Sequence, residues 1–181
     1  MALILLGKSA SGKDTIRTEL NKLGMNSVVS YTTRPMRDGE IEDVTYHYVT
    51  QDEFDKLDLF GVRRFTVASG DVWSYGFRLE DLTYNSVLII DPVGLADIKK
   101  TNLFNVSFFI DVADDLLYMR AMNRGGKSDE IHRRLEADRK DFFLLPDKVN
   151  FVINNDRGDV HITAKCIYQL YQNYVGGTCL L

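Results

Sequence analysis

Gly7-Lys8-Ser9-Ala10-Ser11-Gly12-Lys13-Asp14-Thr15 follows the apolar run Leu3-Ile4-Leu5-Leu6 and leads into the helix-forming stretch Thr15 to Leu23. A buried strand, a loop bounded by Gly and closed by Gly-Lys, then a helix is the sequence pattern of a phosphate-binding loop, the P-loop. Gly7 and Gly12 let the backbone curl so that successive N–H groups converge on phosphate oxygens. The helix N-terminus adds partial positive charge and Lys13 a full one. Gly7, Ser9, Ala10, Ser11, Gly12 and Lys13 are therefore candidate phosphate ligands. The place after the Lys, where a hydroxyl would ligate Mg²⁺, holds Asp14, with Thr15 next. A carboxylate is also a hard oxygen ligand, so Asp14 is a candidate for the metal.

Outward from this loop, apolar runs alternate with amphipathic stretches. Strands are expected at Ala2–Leu6, Ser27–Ser30, Val87–Ile90, Val106–Ile110 and Val149–Ile153. Helices are expected at Lys13–Leu23, Leu95–Lys100, Asp114–Asn123, Glu130–Phe143 and Asp159–Tyr174. Short apolar runs separated by helices predict an α/β fold with a parallel sheet covered on both faces. The stretch 31–82 breaks this rhythm, with β-forming runs at Thr45–Val49, Val62–Ala68 and Val72–Tyr75 and a short helix near Asp52–Leu57. It reads as a small mixed insertion over the C-terminal edge of the sheet. Arg124-Gly125-Gly126-Lys127-Ser128-Asp129 lies between two Arg-bearing helices and has the composition of a mobile basic lid over phosphates. The expected division is a core of 1–30, 83–123 and 140–181, the insertion 31–82 and a lid 124–139.

The chain has 181 residues and a formal charge of −4, so bulk electrostatics give no support to nucleic-acid binding. Two cysteines, Cys166 and Cys179, are too few for a disulfide framework and fit a reduced, cytoplasmic protein. Leu3–Leu6 is too short for a membrane span or a signal-peptide core, and Cys179 stands one place too late for a prenylation signal. His47, His132 and His161 lack metal-ligand spacing. The sequence leaves the oligomeric state open.

Ser30-Tyr31-Thr32-Thr33-Arg34-Pro35-Met36-Arg37-Asp38-Gly39-Glu40 forms a second anion-binding pattern, because Arg forks take phosphate oxygens in pairs and hydroxyls complete the shell. Tyr46 offers a phenolic donor nearby. Together with the P-loop, Ser-x-Thr-Thr-Arg-x-x-Arg-x-Gly-Glu followed by Glu53-Phe54 resembles the guanylate kinase signature. Asp91-Pro92-Val93-Gly94, Arg120-x-x-x-Arg124-Gly125, Ile131-His132-Arg133-Arg134-Leu135 and Asn155-Asp156 extend the likeness along nearly the whole chain. The resemblance implies a P-loop NTPase three-layer fold with a nucleoside-monophosphate (NMP)-binding insertion and a lid. It also implies ATP and Mg²⁺ as cofactors and transfer of the γ-phosphoryl group to GMP or dGMP, with small nucleotides as the only partners. Mapped by motif, Ser30, Arg34, Arg37, Tyr46 and Tyr75 would grip the acceptor phosphate, with Lys13 and the loop amides on the donor. Arg120, Arg124, Arg134 and Arg139 would neutralise charge, Asn155 would lie near the adenine, and Asp91 near the metal or acceptor base. Such chemistry rests on alignment and cationic compensation rather than on a strong base.

The base-reading half departs from this pattern. The expected guanine-reading Glu aligns with Arg64, which has no acceptor for the N1–H and N2–H₂ donors. Phe77 and Ile89 replace two further polar positions, while Asp71 and Ser74 offer acceptors nearby. Arg63 or Arg64 would then suit a second phosphate, a carbonyl-bearing pyrimidine or a stacked base. The alternatives are another phosphate acceptor, such as a different NMP or ribose 1,5-bisphosphate, and an inactive guanylate-kinase-like binding module.

Overall fold

The computed structural model describes residues 1–67 and 69–178; Ala68, the expected end of one strand, and Cys179 lie outside them. Strand β1 (Ala2–Leu6) is fully buried and sits at the centre of a five-stranded sheet. It is flanked by β7 (Ser86–Ile89), β8 (Asn105–Asp111), β2 (Asn26–Ser27) and β9 (Phe151–Asn154), in the order β2-β7-β1-β8-β9, with every pairing parallel. Alternation along β1 divides the core. Leu3 and Leu5 pack with Ile16 and Leu20 of α1 (Lys13–Lys22) and Ile167 and Tyr171 of α6 (Val160–Thr178). Ala2, Ile4 and Leu6 pack with Leu95 and Ile98 of α3 (Pro92–Ile98) and Phe142 of α5 (Ser128–Phe142). This period-two split of an apolar run is what a sheet covered on both faces requires.

Helix α3 starts at Pro92, three residues earlier than the apolar pattern indicated. Asp91 caps it by accepting from the Gly94 amide at 2.8 Å, and Pro at the first helical position has no N–H to lose. Helix α5 likewise begins two residues early, at Ser128. Helix α4 (Asp114–Asn123) packs with α5 around Leu117, Ile131 and Leu135.

A second sheet, in the order β4-β3-β6-β5, comprises β3 (Tyr31–Thr32), β4 (His47–Tyr48), β5 (Leu59–Thr66) and β6 (Val72–Arg78). Of the expected strand Ser27–Ser30 only Ser27 lies in a strand, Asn26–Ser27 of the large sheet, and the chain passes on to the small sheet at Tyr31–Thr32. Helix α2 (Gln51–Phe54) opens with a Thr50/Glu53 capping box. The small sheet meets the core through two glycines. A Cβ on Gly61, whose φ is +60°, would come within 3.2 Å of the Gly94 Cα, so only glycine lets β5 approach α3 this closely. Pairing of β5 with β6 shifts register between Phe60 and Arg63. No helix among the described residues is long and apolar enough to cross a membrane.

Candidate active site

The loop after β1 turns at Gly7, where a Cβ would sit 2.7 Å from Ser11 Oγ and 2.8 Å from the Ile110 carbonyl oxygen. Lys13 Nζ folds back across the loop and donates to the carbonyls of Gly7 (2.6 Å) and Lys8 (2.8 Å) and to Ser11 Oγ (3.3 Å). Burial lowers its ammonium to about 8, against some opposition from Asp14 and Asp138. The Ser9 amide donates to Asp138 Oδ2 of α5 at 2.6 Å, so a carboxylate from the far helix rests on an amide of the phosphate loop. Asp114 ties the same elements together. It accepts from Lys8 Nζ at 2.8 Å and from Arg139 Nε at 2.6 Å, and these two cations hold its carboxyl below the usual range.

Beneath the loop lies Asn155, 3% exposed, whose Nδ2 donates to the Ser11 carbonyl at 3.0 Å. Its Oδ1 accepts from Thr163, and its own carbonyl accepts from Arg120 Nη2 at 2.7 Å. This corrects the expectation for Asn155: its amide braces the loop from behind and is not presented to a base. Arg120 joins that brace. Asp14 stands at the loop's end with its side chain 79% exposed and 3.3 Å from Arg17, beside the exposed Thr15.

A cavity of about 470 Å³ runs from the loop into the space between the two sheets. Gly7, Ser9 and Lys13 line one part, Ser30, Tyr46 and Tyr75 another, and Phe65, Phe77, Ile89 and Ile90 form apolar walls. Helix α5 contributes Arg134, Asp138 and Asp141, residues spaced four and three apart and hence on one helical face. Arg63 and Asp91 complete the lining, with Arg63 Nε 2.8 Å from Asp91 Oδ2. A smaller cavity of about 230 Å³ between the loop and the turn joining α4 to α5 brings Arg124, Lys127 and Arg134 to Ser9 and Ala10.

Arg34 is 4% exposed and lies behind Tyr46, its guanidinium carbon 5.2 Å from the ring centre. Its Nη2 pairs with Glu40 at 2.6 Å and its Nη1 donates to the Pro35 carbonyl. The guanidinium, Tyr48 and the Arg37 amide hold Glu40 at about 2. Burial pushes the Tyr46 phenol up.

Three further expectations need correction. Arg64 points out of the cavity and pairs with Asp55 at 3.2 Å, while its neighbour Arg63 lines the wall. The Arg37 guanidinium lies over the Trp73 ring, 5.9 Å from its centre, and is not on the cavity lining. Asp71 accepts from Ser69, and buried Ser74 donates to Gln51, so neither supplies an acceptor to the cavity. Glu42, Asp43 and His47 cluster on the surface with ligand atoms within 4.8 Å of one another, a proximity that the scattered histidines did not foreshadow.

A family model described as guanylate kinase matches residues 1–58. The guanylate kinase of Neisseria gonorrhoeae is 34% identical over 182 aligned positions, covering 90% of this chain and 86% of that protein. The chain belongs to the guanylate kinase family. The guanylate kinase of Mycoplasmoides gallisepticum is 29% identical, covering 96% of this chain and 93% of its own. A crystal structure of guanylate kinase from Anaplasma phagocytophilum superposes with a TM-score of 0.62 at 25% identity, over 96% of this chain and 86% of that one. Shikimate kinase from Bacteroides thetaiotaomicron, at 14% identity and a TM-score of 0.51, shares the fold alone. This member is thus an ATP-dependent nucleoside monophosphate kinase by class.

Within this guanylate kinase family member, the site residues that sequence reading passed over are Asp138 and Asp141. The two aspartates carried a signal, since they follow Arg134 at the spacing of one helix face. Between Arg63 and Arg64 the sequence leaves the choice open, because the register shift in β5 decides which of two adjacent arginines turns inward.

Proposed function

We propose that this kinase transfers the γ-phosphoryl group of ATP to the 5′-phosphate of GMP or dGMP, giving ADP and the diphosphate. The carrying observation is the 470 Å³ cavity, which joins a P-loop to a hydroxyl cluster and then to an apolar compartment of base size. The donor polyphosphate would lie on the loop amides and Lys13. The acceptor phosphate would take the hydroxyls of Ser30, Tyr46 and Tyr75, with the Arg34–Glu40 ion pair behind Tyr46 bracing that ring. Arg124 and Arg134, which line the cleft between loop and lid, would compensate the charge that spreads over the transferring group. Neither a covalent intermediate nor a strong base is needed. The two substrates already carry nucleophile and leaving group, and the protein aligns them and screens their repulsion.

Of the two carboxylates considered for Mg²⁺, Asp14 fits and Asp91 does not. Asp14 is open and paired only with Arg17, whereas Asp91 already accepts from the Gly94 amide and pairs with Arg63. The ion would be held at Asp14 and would supply charge neutralisation on the polyphosphate.

Coupled ADP release with ATP and Mg²⁺ tests the reading against GMP, dGMP, AMP, CMP, UMP, dTMP and ribose 1,5-bisphosphate. Turnover confined to GMP and dGMP supports it. Preference for another acceptor replaces the acceptor assignment, and no acceptor-dependent turnover leaves a binding module. Lys13→Ala should remain folded and nearly inactive.

A further inference from the structure

The polar groups on the cavity's base side differ in how far they are already engaged. Asp91 is committed at both oxygens, to the Gly94 amide and to Arg63 Nε. Arg63 Nη2 lies 4.0 Å from Asp141 Oδ2, a distance at which charges attract but no hydrogen bond forms. Among the described residues the Asp141 carboxylate accepts no hydrogen bond and the Arg63 Nη atoms donate none, while both side chains line the cavity. The compartment therefore presents a guanidinium fork and, beside it, a bidentate acceptor, between apolar walls that include Phe77 and Ile89. Asp91 holds the fork in place, and Phe65, whose ring centre is 5.9 Å from the guanidinium carbon, flanks it.

We propose that Arg63 and Asp141 together read the Watson–Crick edge of guanine, Arg63 donating to O6 and Asp141 accepting from N1–H and N2–H₂. This rests on the GMP reading above and names the residues that enforce it. The pairing follows from the order of groups on each base. Guanine alone presents one acceptor followed by two donors, which matches a fork beside a carboxylate. Uracil and thymine place a second acceptor against Asp141, and cytosine places two there. Adenine sets its amino donor against the fork and its N1 acceptor against the carboxylate. A site that hydrogen-bonds its base discriminates against bases that leave its polar groups unpaired, to a degree moderated here by the partial exposure of Arg63 and Asp141. Asp141 comes from α5, so base recognition is assigned in part to the helix that also carries Asp138 onto the phosphate loop.

The test uses acceptors altered along this edge: 2-aminopurine riboside 5′-monophosphate lacks O6 and with it the N1 proton, and IMP lacks only the 2-amino group. Arg63→Met should lower kcat/KM for GMP by roughly 30-fold. With the 2-aminopurine nucleotide the loss should be about 3-fold or less. Asp141→Asn should lose most on GMP and less on IMP, with the KM for ATP unchanged in both variants. Arg63→Lys, which keeps a cationic donor, should recover part of the GMP activity. Equal loss on GMP and on its edge-deleted analogues would overturn the proposal while leaving GMP as the acceptor. Absence of GMP turnover in the unmutated protein would instead remove the acceptor reading itself.

Discussion

Replacing Lys13 with Met separates the stability of the phosphate loop from its charge. The ammonium is pulled from 10.5 to about 8 because burial penalises the charged form. A Lys whose folded value is depressed costs stability wherever it is protonated in both states, and that cost is relieved as pH rises from the folded value towards the unfolded one. Below about pH 8 the cost is fully present. Between about pH 8 and 10.5 the unfolded chain binds the extra proton, so stability must climb with pH. Integrated from pH 7 to about pH 10, the shift corresponds to about 2.5 kcal/mol. Removing the amine also strips a donor from the Gly7 and Lys8 carbonyls, so the offset between the two proteins at pH 7 takes either sign. The pH dependence of their difference does not share that ambiguity. Urea unfolding of wild type and Lys13→Met at both pH values should show wild type gaining about 2.5 kcal/mol relative to the variant. A difference that stays flat, or one that shrinks, would refute the claim that this ammonium is held against its own desolvation.

Asp138→Ala should free the Ser9 amide and tighten ATP binding about 3- to 10-fold in a calorimetric titration, since a charge-assisted bond no longer competes with phosphate. Unchanged or weaker binding would mean that the carboxylate does not obstruct the loop. Asn155→Ala should cost about 1–3 kcal/mol in urea unfolding, because it orphans the buried Ser11 carbonyl. Arg64→Met, which removes only an exposed pair with Asp55, should leave kcat/KM for GMP unaltered and stability within about 0.5 kcal/mol. A large loss there would return Arg64 to the acceptor site.

The core was legible because period and punctuation agree there. An apolar run ending in Gly7, helices at 3.6-residue spacing and Asp91-Pro92 at a strand end each have one stable local solution. The insertion was harder to read. Its strands of two residues, Tyr31–Thr32 and His47–Tyr48, are shorter than any periodicity can reveal. Which face of β5 turns inward depends on a register shift that tertiary contact decides, through the approach of Gly61 to Gly94. The fate of charged groups was the least legible. Arg34 and Arg37 share one motif, yet one is buried against Glu40 and the other rests on Trp73. Asn155 reads as a ligand position and serves as a strut.

Arg134, Asp138 and Asp141 span about 10 Å of a single rigid helix, from the lid cleft past the phosphate loop to the acceptor compartment. A helix cannot shift at one end and stay at the other. Whatever position of α5 suits the donor nucleotide is therefore imposed on the acceptor compartment as well. The two substrates are thereby linked thermodynamically: the factor by which the first to bind changes the affinity of the second is returned in full, whichever arrives first. On the proposed reading, an empty acceptor compartment would leave α5 without the contact that Asp141 makes to the base. A coupling of that kind would disfavour loss of the γ-phosphoryl group to water while no acceptor is bound.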